Sequence, residues 1–149
     1  MYQINQLSNF GKNKDYSYGV IIENPSFFSG ETAYYNLKYL ADINKKISDD
    51  EIYFYLDKLN LLNVKDKKVS TFSLGMKQRL ALCQAFMEDP DVLLLDEPFN
   101  AIDDDNLEVV LKLIDDFKKK DKIIVIASHG DVKFKFDRII KMSNGKILT

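Results

Sequence analysis

A single cysteine, Cys83, in 149 residues excludes an internal disulfide, so the default compartment is the cytosol. Long apolar runs are also missing. The longest, around Val92–Leu95 and Ile123–Ala127, fall far short of the roughly 20 residues that a membrane-spanning helix needs. No charged-then-apolar leader is visible. Net charge is close to absent: 21 Lys+Arg against 23 Asp+Glu leave −2. That excludes a strongly basic chain held to nucleic acid by its overall charge, though not a local phosphate site. Arginine is scarce, with only Arg79 and Arg138 among the basic residues. There is no Pro/Gly-rich linker, low-complexity tract or obvious repeat. What is present is a 46% hydrophobic composition rich in aromatic and branched side chains. Disorder is thereby excluded, and the length suits one domain with a substantial core.

Residues 17–22 (SYGVII) predict a strand stopped at Asn24-Pro25, followed by an aromatic turn with Phe27, Phe28 and Gly30. A helix is expected from Thr32, with Ala33, Leu37, Leu40 and Ala41 on one face. Ser48 and Glu51 form a capping-box pattern for a second helix, whose apolar stripe is Ile52, Tyr55, Leu56 and Leu59. After a loop at Lys65–Lys68, a third helix runs from Ser73 to about Met87. Val92–Leu95 is apolar at every position, which predicts a strand in the middle of a sheet covered on both faces. A helix from about Asp104 follows, burying Leu107, Val110, Leu111, Ile114 and Phe117. Ile123–Ala127 reads as a second buried strand, and 137–142 with 146–148 as two short strands around Asn144-Gly145. Strand, helix, strand is an α/β signature, and residues 26–88 read as a helical insert on that α/β core.

Three elements carry chemistry. Asp96 and Glu97 follow the buried strand, and ligands of open α/β sheets bind beyond the carboxyl ends of strands. Asp96 is placed to hold Mg²⁺ and Glu97 to polarise a water; the plainer alternative is a helix-capping pair. Ser73 opens a helix and Gly75 leaves its backbone open, which makes an anion site out of free N–H groups, or simply an ordinary serine cap. His129, the one histidine, stands at the same sheet edge as Asp96, 32 residues after Glu97. A lone histidine is more often structural, but here a phosphate oxygen could accept its hydrogen bond.

Together these elements resemble the ATP-binding cassette (ABC) ATPases, the nucleotide-binding subunits of ABC transporters. Phe72–Arg79 is similar to the signature motif, keeping Ser73, Gly75, Gln78 and Arg79 and departing from it at Phe72, Leu74 and Met76. Val92–Asp96 resembles the Walker B strand, with Glu97 in the catalytic-glutamate position. Pro98–Asp103 resembles the D-loop, with Ala101 where glycine is usual and Asp103 in the aspartate position. Ser128-His129 resembles the switch histidine. Glu23-Asn24-Pro25 resembles the Q-loop with glutamate in place of glutamine, and with the signature it looks like the bacitracin- and lantibiotic-type export subgroup.

The resemblance implies an α/β, partial P-loop NTPase core with a parallel sheet plus a helical subdomain. The divisions would be 1–25 (end of an N-terminal core with the Q-loop), 26–88 (helical subdomain with the signature) and 89–149 (α/β core with Walker B, D-loop and switch histidine). It implies Glu97 and His129 as catalytic residues. Ser73, Gly75, Asp103 and Glu23 would touch ATP, and Asp96 would hold Mg²⁺. The implied partners are a transmembrane permease subunit and a second ABC ATPase subunit paired head to tail, with no nucleic acid expected. The implied location is cytoplasmic, on the inner face of the membrane through the permease.

A phosphate-wrapping G-x-x-x-x-G-K-[ST] loop is absent. Gly11-Lys12 does not supply it, because Asn13 follows and position 6 is Gln. The expectation is the C-terminal two-thirds of a nucleotide-binding domain, inactive alone because positioning supplies most of phosphoryl-transfer catalysis. The missing strand and helix are expected beside the Walker B strand, so their loss would expose an apolar strand edge and favour association. Two alternatives remain. One is a non-enzymatic remnant that lends its signature to a complete cassette. The other is a soluble ABC-type ATPase unrelated to transport. Phe27, Phe28, Tyr34 and Tyr35 are candidates for a permease contact or for core, and Cys83 for packing. The lysines at 65–68 and 118–122 read as solvated faces, or less readily as a membrane-headgroup contact. Asp103-Asp104-Asp105 lacks the glycine and closing glutamate of a Ca²⁺ loop.

Overall fold

Val92-Leu93-Leu94-Leu95-Asp96 forms the middle strand of a three-stranded parallel sheet. A computed structural model describes residues 15–23, 25–120, 122–129 and 134–148. The sheet runs β1 (Tyr18–Ile21), β2 (Val92–Asp96), β3 (Ile123–Ala127), in that spatial order. Val20, Leu94 and Val125 lie side by side in register, as do Gly19, Leu93 and Ile124. All three carboxyl ends therefore open on one edge of the sheet.

The helices start where side chains satisfy their free N–H groups. Thr32 accepts from the Tyr35 N–H at 3.0 Å to open α1 (Ala33–Asn44). Glu51 accepts from the Ser48 N–H at 2.7 Å, closing the expected capping box at the start of α2 (Asp49–Lys58). Ser73 caps α3 (Leu74–Phe86) and Asp103 caps α4 (Asp104–Lys118). Such caps contribute about 1 kcal/mol each. The helix α3 is buried on most of its surface, through Leu80, Leu82, Cys83 and Phe86 among others. It packs directly against β1. A Cβ on Gly19 would lie 2.0 Å from the Ala85 carbonyl oxygen, so only glycine permits that approach. Phe86 and Phe117 join α3 to α4, edge to face at 5.0 Å. Ser17 and Asp91 lock the start of β1 to that of β2, with the Ser17 hydroxyl donating to Asp91 at 3.0 Å.

Several sequence expectations need correction. The strand β2 is central, but among the described residues its second face is covered only at its start, where Val92 is 2% exposed. On that face Tyr18, Val20 (45% exposed), Leu94, Ile123 and Val125 (53% exposed) share an open apolar surface. The strand β3 is accordingly not a buried strand; its residues alternate between exposed and half-buried. Continuous apolar sequence marked its place in the sheet, but among the described residues that second face stays open around Val20, Leu94 and Val125. The expected open edge is not beside β2 either, since β1 and β3 occupy both of its sides. Leu107 and Leu111 are half-buried, and Val110, Ile114 and Phe117 form the buried stripe of α4. The final hairpin is shorter than expected: β4 (Met142–Ser143) and β5 (Lys146–Ile147) pair antiparallel, and 137–141 are not strand. Asn144 and Gly145 both have positive φ, as a tight two-residue hairpin turn requires. Among the described residues, no helix is long and apolar enough to cross a membrane.

Candidate functional site

Asp96 and Glu97 leave β2 at its carboxyl end and turn sharply, with Glu97 held at φ +46°. Three hydrogen bonds to the Glu97 main chain fix that turn. The Glu97 N–H donates to the Ala127 carbonyl on β3 at 2.9 Å. Its own carbonyl accepts from the Asn100 N–H at 3.2 Å and from the buried Gln78 side chain at 3.1 Å. The Glu97 residue is only 7% exposed, and its carboxylate bonds His129 Nδ1. That contact raises the His129 pKa above the ordinary histidine range: the hydrogen bond to Glu97 comes first, its charge next, and Glu23 and Asp96 add smaller attractions. Thus β1, β2 and β3 bring Glu23, Asp96, Glu97 and His129 to one sheet edge. The pair that follows β2 does not cap a helix, because Asp103 performs that task for α4.

Asp96 is exposed. Among the described residues, no three metal-capable side chains converge. Mg²⁺ in phosphate-transfer sites is typically held by one or two carboxylates, with waters and phosphate oxygens completing its shell. A single accessible carboxylate at a strand end fits that donor pattern.

A second group of residues lies around the N-terminus of α3. Ser73 Oγ accepts from the Met76 N–H at 3.2 Å, so the serine is a working cap whatever else it does. Gly75 faces the turn that follows Glu97: a Cβ there would sit 2.4 Å from the Ala101 carbonyl oxygen. Ala101 itself has φ +59°, the conformation that glycine adopts freely. Asp103 accepts from the Asn106 N–H at 3.0 Å, and this bond is the first cause of its lowered pKa. Arg79 donates to the Leu59 carbonyl at 2.8 Å and to Asn106 Oδ1 at 3.0 Å. Burial pulls its pKa down.

Asp96, Glu97 and His129, expected at one sheet edge, lie there, with Glu97 and His129 in contact; Glu23 follows β1 at the same edge, and Ser73, Gly75 and Asp103 lie around the starts of α3 and α4. Asn106 was missed. It binds Arg79, Asp103 and Asn60 at once, with the Asn60 amide donating to it at 3.1 Å. Its place three residues after the cap Asp103 is the one signal that could have drawn notice. Asn36 was missed too: buried, it accepts from the Phe28 N–H at 2.8 Å and donates to the Thr32 carbonyl at 2.8 Å. Gly11, Lys12, Asn24 and Gly130 lie outside the described residues. Cys83 is fully buried, and burial drives its thiol pKa strongly upward, so it is a packing residue. Of the aromatics after β1, Phe27 and Tyr34 are half-buried against the core, whereas Phe28 and Tyr35 are exposed.

The chain is a mixed α/β fold, with a parallel sheet whose carboxyl edge carries acids and a histidine and a serine-capped helix packed against it. A solved structure described as an ATP binding subunit of an ABC transporter matches it with a TM-score of 0.68 at 26% identity, covering 76% of this chain and 48% of the other. The family model described as ABC transporter matches residues 5–100, and the chain belongs to that family. Among its relatives, the uncharacterized ABC transporter ATP-binding protein YybJ of Bacillus subtilis is 42% identical, over 89% of this chain and 62% of YybJ. The lantibiotic transport ATP-binding protein SrtF of Streptococcus pyogenes is 35% identical, over 87% of this chain and 57% of SrtF. The bacitracin transport ATP-binding protein BcrA of Bacillus licheniformis is 36% identical, over 94% of this chain and 48% of BcrA. The chain thus spans about half the length of the curated relatives it matches.

Proposed function

We propose that this chain is part of the ATP-binding subunit of an exporter of peptides or antibiotics, and that it does not hydrolyse ATP by itself. The observation that carries this reading is the pairing of a Glu97–His129 site with the absence of any phosphate-wrapping loop in the sequence. Glu97 is the base that orients the attacking water, and His129 holds Glu97 and donates toward the phosphate. Asp96 would hold Mg²⁺, which neutralises charge on the transferred phosphoryl group when bound, and Glu23 would contact the ATP beside it. Ser73, Gly75 and Asp103 serve the ATP of a facing subunit, where the start of α3 offers N–H groups to phosphate. The names of SrtF and BcrA support the substrate class.

The bare face of the sheet supports the incomplete-cassette reading. A strand beside β3, followed by a phosphate loop and a covering helix, would bury Val20, Leu94 and Val125 and complete the site. Docking to a permease is assigned to the outward stripe of α1. There Tyr35 and Tyr39 stack at 6.3 Å, Phe28 meets Tyr39 edge-on at 5.2 Å, and Ile43 extends the row. The subunit would sit on the cytoplasmic face of the membrane through that contact.

The test is size-exclusion chromatography with a complete, hydrolysis-deficient cassette, with and without Mg-ATP. Co-elution that needs ATP is expected for the native chain. Ser73→Asp retains a good helix cap but sets a negative charge against the phosphate, so it should abolish co-elution while leaving the melt unchanged. Failure of the native chain to pair, or indifference to Ser73→Asp, would contradict the assignment.

A further inference from the structure

An open cavity of about 320 Å³ lies between α2 and α4, away from the residues assigned above. Its floor is apolar. Tyr55 and Phe117 are buried in it, with Phe86 packed edge-on beneath Phe117 at 5.0 Å. Phe54 stands at its rim, 52% exposed, its ring edge-on to Tyr55 at 5.2 Å. Along α4 the lining recurs at Val109, Leu113 and Phe117, a stripe at helical spacing about 12 Å long. A preformed aromatic floor of that length is shaped for side chains that recur at the same spacing on another helix.

Charge identifies what would lie there. Lys58 stands on the α2 wall, its ammonium 5.4 Å from the Phe54 ring centroid. Lys112 stands on the α4 wall. Among the described residues neither has a carboxylate partner. Asp116, the only acid in the lining, is already paired with Lys119 at 3.2 Å. Among the described residues both walls therefore present a lysine outside any ion pair above an apolar floor, whereas the third lining lysine, Lys120, is paired with Asp89 at 3.0 Å.

We propose that this cleft receives an acidic amphipathic helix of a partner polypeptide, with apolar side chains on the Tyr55–Phe117 floor and carboxylates on both flanks, one facing Lys58 and the other Lys112. The partner is defined by that pattern: leucine or phenylalanine at i, i+4 and i+8, flanked on each side by glutamate or aspartate.

Fluorescence anisotropy of the full 149-residue chain against two labelled 16-residue helical peptides tests this. One peptide carries the leucine stripe with glutamate flanks, and the other has lysine in place of every glutamate. The native chain should bind the glutamate peptide, more weakly as salt rises, and bind the lysine peptide at least tenfold more weakly. The double variant Lys58→Glu/Lys112→Glu should reverse that preference, which a misfolded protein could not do. Equal binding of both peptides, no binding, or a preference that survives the double variant would overturn the proposal. So would binding to phosphatidylglycerol vesicles that depends on Lys58 and Lys112 and that the glutamate peptide does not displace.

Discussion

Gly75 and Ala101 touch through their backbones: a methyl group on Gly75 would come within 2.4 Å of the Ala101 carbonyl oxygen. The start of α3 and the turn after Glu97 are therefore one packed unit. Gly75→Ala sets two effects against each other. Alanine gains about 1 kcal/mol over glycine in a helix, whereas overpacking against a fixed backbone costs about 1–3 kcal/mol. The clash should win, leaving a net loss of about 1 kcal/mol in the urea unfolding free energy with an unchanged m-value. A stabilised Gly75→Ala protein would show that the contact yields easily.

Ala101 offers the opposite experiment. Its φ of +59° costs an L-residue roughly 1–2 kcal/mol. Glycine removes that cost but adds about 0.4–1 kcal/mol of unfolded-state entropy. Ala101→Gly should therefore stabilise the chain by up to about 1.6 kcal/mol, read as a higher urea midpoint.

Asn106 ties Arg79, Asn60 and Asp103 into one network. Asn106→Ala leaves partly buried donors short of an acceptor, at a cost of about 1–3 kcal/mol. The urea midpoint should fall accordingly. Asn106→Asp restores an oxygen for Arg79 but sets a second carboxylate against Asp103, so it should not recover the full loss.

The Glu97 carboxylate holds the His129 pKa above its ordinary value. A group whose pKa is raised on folding contributes stability that is complete below its unfolded value, near 6.5, and that fades as pH rises through the folded value. The pair should thus favour the fold at acid pH and lose its effect under basic conditions. NMR titration of the His129 ring should give a midpoint above the ordinary histidine value, and Glu97→Gln should bring it down toward that value.

Val20 and Val125 lie on the open sheet face. The isolated chain should associate through it, because exposed apolar patches of this kind drive self-assembly. Light scattering should show oligomers for the native chain and a larger monomer fraction for Val20→Lys/Val125→Lys. A sharp native monomer peak would contradict this.

Much of the fold was legible because its signals are local. Thr32, Ser48, Ser73 and Asp103 are helix caps, and each helix begins one residue beyond its cap. The strands around Leu93 and Val125 showed as unbroken apolar runs. Coverage of the sheet was not legible, since apolar residues in sequence do not say whether a face meets a partner. Val125 has the composition of a core residue and half of it faces solvent. Of the site, Asp96, Glu97 and His129 stood out by position, and the sheet brings them to one edge. The roles of Gln78 and Asn106 were hidden because their partners Glu97 and Arg79 lie 19 and 27 residues away and follow from how α3 meets the turn after β2 and the start of α4.

Steady-state ATP turnover by the purified chain with Mg²⁺, alongside Glu97→Gln, tests most directly the proposal that Glu97 and His129 cannot hydrolyse ATP in this chain without a phosphate-wrapping loop. The account predicts no turnover above background for either protein. Turnover by the native chain that disappears in Glu97→Gln would contradict it.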